Sequence, residues 1–227
     1  MKQDGTTIFL LRGGGFLQIM LLDALVFDWS GVISDDRTPV YVANMMVLED
    51  HGRPTMSFKE WLPRTTMTPI EFFRNNGIQD DADKLFALYK KYFTEAHESG
   101  INPVVYPDVA ETLKFLRSKG GLLGILSSHP AENLAREAGL YGLEGFFDFF
   151  EGNSRDKSAG LLSICAKKAL SPGRTLYTGD TIYDIQAAKK AGVVSAGICT
   201  GYHVRGRLEA ETPDFLFETF SDIKKVV

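Results

Sequence analysis

The 227 residues suffice for one ordinary domain and a smaller one, and with 44% hydrophobic and 24% charged residues the chain is neither disordered nor fibrous. A net charge of −4 lacks the basic excess of nucleic-acid-binding proteins, and no apolar run reaches the roughly 18–20 residues that span a membrane. Two cysteines without metal-ligand spacing, Cys165 and Cys199, and the lack of a convincing signal peptide favour a cytoplasmic protein, either a monomer or a homodimer.

The first clear element is the apolar run LLDALVF at residues 21–27, which predicts a strand buried on both faces. Residues 1–19 precede it and are expected to be an extension, whose apolar stretch is broken by Arg12 and three glycines. Two explanations stay open for this extension. Either Met20 is the true start of the protein, or the segment forms an extra hairpin that turns at residues 13–15.

Residues 36–102 carry helical periodicity and no convincing strand, so we expect an all-helical domain inserted after the first strand. The segment TPIEFFRNNG begins at the cap residue Thr68 and ends at Gly77. The segment DDADKLFALYKKYFTEAHESG is typical of a long amphipathic helix with acidic residues at its start.

From residue 103 onward, strand and helix patterns alternate. The predicted strands are LLGIL, FFDFF, TLYTGD, VVSAGI and DFLFE, and the last predicted helix is SDIKKVV. This alternation predicts an α/β fold with a doubly wound, Rossmann-like parallel sheet, formed by residues 20–35 and 103–227 and covered by helices on both faces.

Polar residues follow four of the predicted strands, at the edge where such sheets bind ligands. They are Asp28, Ser30 and Gly31 after the first strand, Ser127 and Ser128 after LLGIL, Lys157 after FFDFF, and Asp180 and Asp184 after TLYTGD. Taken singly, each fits a strand end, a helix cap or a solvated lysine. Taken together, carboxylates, hydroxyls and a lysine at one sheet edge predict a metal-assisted phosphoryl-transfer site.

The chemistry of phosphate esters explains these residue types. An ester phosphate repels a carboxylate nucleophile, so a divalent cation is needed to screen the two charges, and aspartate oxygens are the ligands that suit Mg²⁺. A lysine and hydroxyl groups then hold the oxygens of the transferring group. Attack by a carboxylate gives an aspartyl-phosphate, a known form of covalent catalysis.

These motifs resemble those of the haloacid dehalogenase (HAD) superfamily of hydrolases, in the branch of phosphoglycolate phosphatase and β-phosphoglucomutase. FDWSGVISDD is similar to the first motif, DxDGTxxDS, and LLGILSSHP resembles the second. Lys157 in RDKSAGLL resembles the lysine of the third, and YTGDTIYDIQAAKKAG matches the fourth, GDxxxDxxxAxxAG. The resemblance covers about residues 21–227 and implies a HAD core with residues 36–102 as its helical cap.

The resemblance also implies a Mg²⁺-dependent phosphatase that acts on a small phosphorylated metabolite. The implied roles are Asp28 as nucleophile, Asp28, Asp180, Asp184 and the carbonyl of Ser30 as metal ligands, and Ser127, Ser128, Gly31 and Lys157 around the phosphate. In the family the cap closes over the site and selects the substrate. The segment WLPRTTMTPIEFF lies where the family has its specificity loop, so Arg64, Thr65 and Thr66 are either substrate residues or an ordinary helix connection.

Ser30 departs from the family, whose phosphatases carry here an aspartate that protonates the leaving oxygen. Serine exchanges no proton near pH 7, and general acid–base catalysis contributes about 10²–10⁴-fold to a rate. Three explanations stay open: a phosphatase that is slow or uses another group, such as His129 or His203; a phosphonatase-like C–P hydrolase, for which Lys59 is a weak candidate lysine; or a slow or non-catalytic phosphate-binding protein. A dehalogenase fits least, because that branch has an aromatic residue at this position.

Overall fold

The computed structural model of the protein describes residues 22–227, and the predicted extension of residues 1–19 lies outside them. Six strands form one parallel sheet in the order β5-β4-β1-β6-β7-β8, and β2 and β3 form a separate antiparallel pair. The strands are β1 Ala24–Phe27, β2 Ser34–Asp35, β3 Val104–Val105, β4 Leu122–Leu126, β5 Phe149–Glu151, β6 Thr175–Gly179, β7 Val194–Ile198 and β8 Phe215–Phe217.

Nine α-helices lie within the described residues. They are α1 Arg37–Asp50, α2 Phe58–Trp61, α3 Pro69–Asn75, α4 Ala82–Glu98, α5 Val109–Lys119, α6 Ala131–Leu140, α7 Lys157–Lys168, α8 Ile182–Ala191 and α9 Arg205–Ala210. Between residues 22 and 227, no helix is both long enough and apolar enough to cross a membrane.

Strand β1 is apolar at every position because both faces of the sheet are covered. Leu25 and Phe27 pack into a core with α5 and α6, while Val26 packs into a second core with α7 and α8. Successive residues of a strand point to opposite faces, so a central strand needs hydrophobic residues throughout. The predicted doubly wound parallel sheet is confirmed.

Helices α1 to α4 pack around a core of their own, with the fully buried Leu48, Trp61, Phe73 and Leu85 at its centre. The chain leaves the sheet domain through β2 and returns through β3, where Ser34 pairs with Val105. This short antiparallel pair brings the two crossings side by side. The helical unit is therefore joined to the sheet domain by two adjacent segments.

Two predicted elements differ in the structure. The strand expected at FFDFF begins only at Phe149, because Phe146 ends a 3₁₀ helix, Glu144–Phe146. The side chain of Asp148 accepts hydrogen bonds from the backbone N–H of Leu123 (2.8 Å) and from Arg117 (2.7 Å). The helix expected at SDIKKVV is a 3₁₀ helix, Phe220–Val226, which is capped by Thr219. Neither difference moves the residues that follow the central strands.

Candidate active site

The carboxyl ends of β1, β4 and β6 meet at one edge of the sheet, because β1 lies between the other two in parallel register. Phe27 pairs with Ile125 on β4 and with Thr178 on β6. The next residue, Asp28, donates its backbone N–H to the carbonyl of Thr178 at 2.9 Å. Asp28 therefore continues the line of the central strand into the edge where parallel sheets bind ligands.

Lys157 joins two buried carboxylates. Its Nζ donates to Oδ2 of Asp28 and to Oδ1 of Asp184, both at 2.5 Å. The other oxygen of Asp28 accepts from the backbone N–H of Trp29 at 2.8 Å. Lys157 is the first residue of α7, which begins at the cap residue Asp156, so the start of this helix places the amine beside Asp28.

Asp180 and Asp184 flank the start of α8. Thr181 caps this helix, and Oδ2 of Asp184 accepts from the backbone N–H (3.0 Å) and the hydroxyl (2.5 Å) of Thr181. Oδ2 of Asp180 accepts from the backbone N–H of Tyr202 at 2.7 Å. One carboxylate oxygen from each of Asp28, Asp180 and Asp184 lies within 4.8 Å of the others.

Glycines make room for Asp180. A Cβ on Gly31 would lie 2.3 Å from Oδ2 of Asp180, and one on Gly201 would lie 2.0 Å from the same oxygen. Gly31 also has φ +74°, a conformation that other residues adopt with strain. The Gly31 of the first motif is thus required both by its backbone and by the carboxylate above it.

The charges of this cluster do not balance. Burial raises the pKa of Asp180 well above its usual range, and the charges of Asp184 and Asp28 raise it further. Burial also raises the pKa of Asp28, although Lys157 opposes this. For Asp184 burial acts in the same direction, but the charge and hydrogen bond of Lys157 together with the hydrogen bonds of Thr181 outweigh it and lower the pKa. Three buried carboxylates thus share one ammonium group, a donor set of hard oxygens that fits a divalent cation such as Mg²⁺.

Ser30 lies in a hydrogen-bonded group beside this cluster. Its Oγ lies 2.8 Å from Oδ2 of Asp36 and 3.0 Å from Nε2 of His129. The hydroxyl of Tyr202 donates to Oδ1 of Asp36 at 2.8 Å. Burial raises the pKa of Asp36, against the charge of His129 and the hydrogen bonds of Ser30 and Tyr202. Neither Asp36 nor Tyr202 was predicted from the sequence.

Comparison with known proteins identifies the family. Residues 25–198 match the haloacid dehalogenase-like hydrolase family. The chain belongs to this family. It is 30% identical over 226 residues to a phosphoglycolate phosphatase of Salmonella typhi, covering 97% of this chain and 88% of the relative. It is 27% identical over 216 residues to one of Synechococcus elongatus, covering 91% and 97%.

A solved HAD-like hydrolase from Streptococcus pneumoniae has the same fold, with a TM-score of 0.80 at 19% identity over 90% of this chain and 97% of that one. The resemblance to the HAD superfamily is confirmed, and the protein is a hydrolase related to phosphatases. The comparisons do not assign individual residues, so the roles of the site residues stay predictions.

The second HAD motif places Ser127 at the carboxyl end of β4. Ser127 is buried, its backbone N–H donates to Glu151 at 3.0 Å, and its Oγ accepts a long hydrogen bond of 3.4 Å from the backbone N–H of His129. Ser128 follows and is exposed. Ser127 thus follows β4 at the same edge of the sheet as Asp28, while Ser128 lies at the surface.

The predicted specificity residues of the HAD cap form contacts within their own loop. The hydroxyl of Thr65 donates to the carbonyl of Leu62 and that of Thr66 to the carbonyl of Thr68, both at 2.8 Å. Arg64 is exposed and lies 4.0 Å from the sulfur of Met56. These contacts suit an ordinary helix connection, and contact with a substrate stays a prediction. Lys59 is exposed on α2, so nothing here favours a phosphonatase lysine.

His203 is buried and held in one protonation state. Its Nδ1 accepts a hydrogen bond from the backbone N–H of Ile182, the first residue of α8, at 3.0 Å. Burial, aided by the charge of Arg207, lowers the pKa of His203 to about 4 from 6.5. A neutral imidazole that accepts from a helix N-terminus has a structural role, which leaves His129 as the histidine next to Ser30.

The depressed pKa of His203 makes the stability depend on pH. Between pH 7 and pH 5 the unfolded chain binds a proton at this residue and the folded protein does not, so the free energy of unfolding falls by about 2 kcal/mol. His203→Asn keeps a neutral acceptor and should remove this part of the pH dependence. Urea unfolding of both proteins at the two pH values measures it, and equal pH dependence would contradict the assignment.

Proposed function

We propose that this HAD-like hydrolase releases inorganic phosphate from a small phosphorylated metabolite, with Asp28 as nucleophile and Mg²⁺ as cofactor. The observation that carries the proposal is the position of Asp28 at the end of the central strand, bonded to Lys157 and within 4.8 Å of oxygens of Asp180 and Asp184. The phosphoglycolate phosphatases among its relatives support a small phosphate ester as substrate.

The proposed reaction has two displacements at phosphorus. A carboxylate oxygen of Asp28 forms a bond to phosphorus while the bond to the leaving oxygen breaks, and the electron pair departs with that oxygen. Water then attacks the phosphorus of the aspartyl-phosphate, which releases phosphate and restores the carboxylate. Lys157 neutralises charge on Asp28 and on the phosphoryl group.

Four groups are proposed to hold the phosphoryl oxygens: Lys157, the hydroxyl of Ser127, the exposed Ser128, and Gly31 in the turn that follows Asp28. Asp28, Asp180, Asp184 and the carbonyl oxygen of Ser30 would hold Mg²⁺. The ion supplies charge screening between the carboxylate and the phosphate. The unbalanced negative charge of the three aspartates supports this assignment.

Residues 36–102 are proposed to act as the cap. Their separate core and their two adjacent connections through β2 and β3 support a unit that moves relative to the sheet domain. The contact of Trp61 with Tyr202, whose ring centroids are 6.1 Å apart, joins this unit to the loop that bonds Asp180. Substrate selection by Arg64, Thr65 and Thr66 is part of the proposal.

The decisive test is phosphate release by the purified protein from p-nitrophenyl phosphate and a panel of phosphorylated metabolites, with and without Mg²⁺. Wild-type protein should release phosphate only with the cation, and Asp28→Asn should lower the rate by at least about 10³-fold, because its amide is no nucleophile. Asp83→Asn, at an exposed position on α4, serves as the matched control. Equal rates for Asp28→Asn and wild type would overturn the assignment of the nucleophile.

A further inference from the structure

In the first motif of this chain, the aspartate expected at the third position is found at the ninth. Where DxDGTxxDS has aspartate in its third position and serine in its ninth, the sequence DWSGVISDD has Ser30 and Asp36. The two residue types have exchanged, and the two side chains remain hydrogen-bonded, with Ser30 Oγ 2.8 Å from Asp36 Oδ2. The exchange moves the carboxylate from the position two residues after Asp28 to the ninth position of the motif.

Both oxygens of Asp36 are occupied. Oδ2 is bonded by Ser30 and Oδ1 by the hydroxyl of Tyr202, at 2.8 Å each, and the residue is only 5% exposed. The side chain of Asp36 is thus almost fully buried, and hydrogen bonds to both of its oxygens fix the carboxylate within the protein. Asp36 therefore does not replace the missing acid by direct contact.

The proton of Ser30 is also used within this group. The hydroxyl donates to Oδ2 of Asp36, so its oxygen accepts from Nε2 of His129 at 3.0 Å. The single hydroxyl proton is therefore bonded to a protein partner. Nε2 of His129 is engaged with Ser30 in the same way.

This closed network has a consequence for the substrate. Ser30, two residues after the proposed nucleophile, offers no free proton to the oxygen of the leaving group. This oxygen therefore departs as an anion. Esters of weakly acidic alcohols then lose the contribution of general acid catalysis, about 10²–10⁴-fold. Phosphoryl compounds with a stable leaving anion need no such help.

We propose that the substrate is a phosphoryl compound whose leaving group is a stable oxyanion, such as an aryl phosphate, an acyl phosphate or a phosphoanhydride, rather than an alkyl phosphate. Asp36 and His129 act as positioning residues that hold the Ser30 hydroxyl within the protein. In the first step the P–O bond to Asp28 forms, the P–O bond to the leaving group breaks, and the leaving group departs unprotonated. This inference rests on the proposed phosphohydrolase function.

The test compares kcat/KM for leaving groups of different acidity: p-nitrophenyl phosphate and acetyl phosphate against glycerol 3-phosphate and 2-phosphoglycolate. Wild-type protein should hydrolyse the first two at least about 100-fold faster, beyond any difference in KM. Comparable kcat/KM values for all four would overturn the inference and leave the proposed function intact. No phosphate release from any of them would instead overturn the proposed function.

Variants at Ser30 and Asp36 test whether the exchange of these two residues causes the preference. The double variant Ser30→Asp with Asp36→Ser restores the motif order, and we expect the alkyl-to-aryl ratio of kcat/KM to rise about 100-fold. Ser30→Asp alone places two carboxylates within hydrogen-bond distance, so it should lower the Tm and give no such gain, while the double variant recovers the Tm. A gain in the single variant equal to that in the double variant would contradict the role of Asp36.

His129 needs its own control because its ring could serve as an acid. His129→Gln keeps a hydrogen-bond partner for Ser30, and we expect it to change aryl and alkyl rates by the same factor. A selective loss of alkyl phosphate hydrolysis in this variant would make His129 the acid and overturn the inference.

Discussion

Lys157→Met should lower the free energy of unfolding by about 3–5 kcal/mol, because removing one partner of a buried ion pair leaves the other charge uncompensated. Two carboxylates depend on this amine, Asp28 and the almost fully buried Asp184, each at 2.5 Å from Nζ. Methionine keeps most of the length of the side chain and loses only the charge and the hydrogen bonds. The same change should strongly lower the rate of phosphate release, since Mg²⁺ alone then offsets the charge on Asp28 and the phosphoryl group.

Lys167→Met is the matched control, on the same helix α7. Lys167 lies 3.0 Å from Glu151 but its side chain is 56% exposed, and exposed ion pairs contribute only about 0–1 kcal/mol. Urea unfolding of both variants with and without Mg²⁺ separates the two positions. If Lys157→Met unfolds at the same urea concentration as Lys167→Met, the carboxylates are not paired as the structure describes.

Long apolar strands and motif-bearing turns could be predicted from the sequence, while short pairings could not. The run LLGIL is β4 residue for residue, because a strand buried on both faces leaves a continuous apolar signal. Strands β2 and β3 have two residues each, and their pairing depends on where the helical unit leaves and rejoins the sheet domain. The C-terminal segment has a helical pattern, but nothing in that pattern separates a 3₁₀ helix from an α-helix.

The candidate site likewise contains residues that the sequence predicts and residues that it does not. The rule that ligands bind at the carboxyl ends of parallel strands is enough to group Asp28, Ser127 and Asp180. Lys157 follows from a motif and not from periodicity. Tyr202 bonds Asp36 from 166 residues away in the chain, a contact that no local pattern encodes.

The sequence does contain a pattern that points to Asp36. It occupies the ninth position of the first motif, where the pattern DxDGTxxDS has serine, and the same pattern has aspartate where this chain has Ser30. Two departures that mirror one another suggest a contact between the two positions. Ser30 considered alone does not reveal this contact, because the effect of the serine depends on which group accepts the hydrogen bond from its hydroxyl.

Gly31→Ala should destabilise the protein by about 2–6 kcal/mol, since two separate costs add at this residue. At φ +74° a side chain is strained by about 1–3 kcal/mol. The new Cβ would also lie 2.3 Å from Oδ2 of Asp180, and overpacking of this kind costs about a further 1–3 kcal/mol. Because Asp180 must move to accept the methyl group, phosphate release should fall together with stability.

Gly192→Ala separates the two costs. Gly192 has nearly the same φ angle, +70°, but a Cβ there would meet no atom within 4 Å, so only the strain remains. We expect this variant to lose only the strain of about 1–3 kcal/mol and to keep the wild-type rate of phosphate release. Urea unfolding and a phosphate-release assay on both variants measure how much of the loss in Gly31→Ala comes from the clash with Asp180. If the two variants lose equal stability, Asp180 yields without cost, and its carboxylate is not fixed in place by the glycines around it.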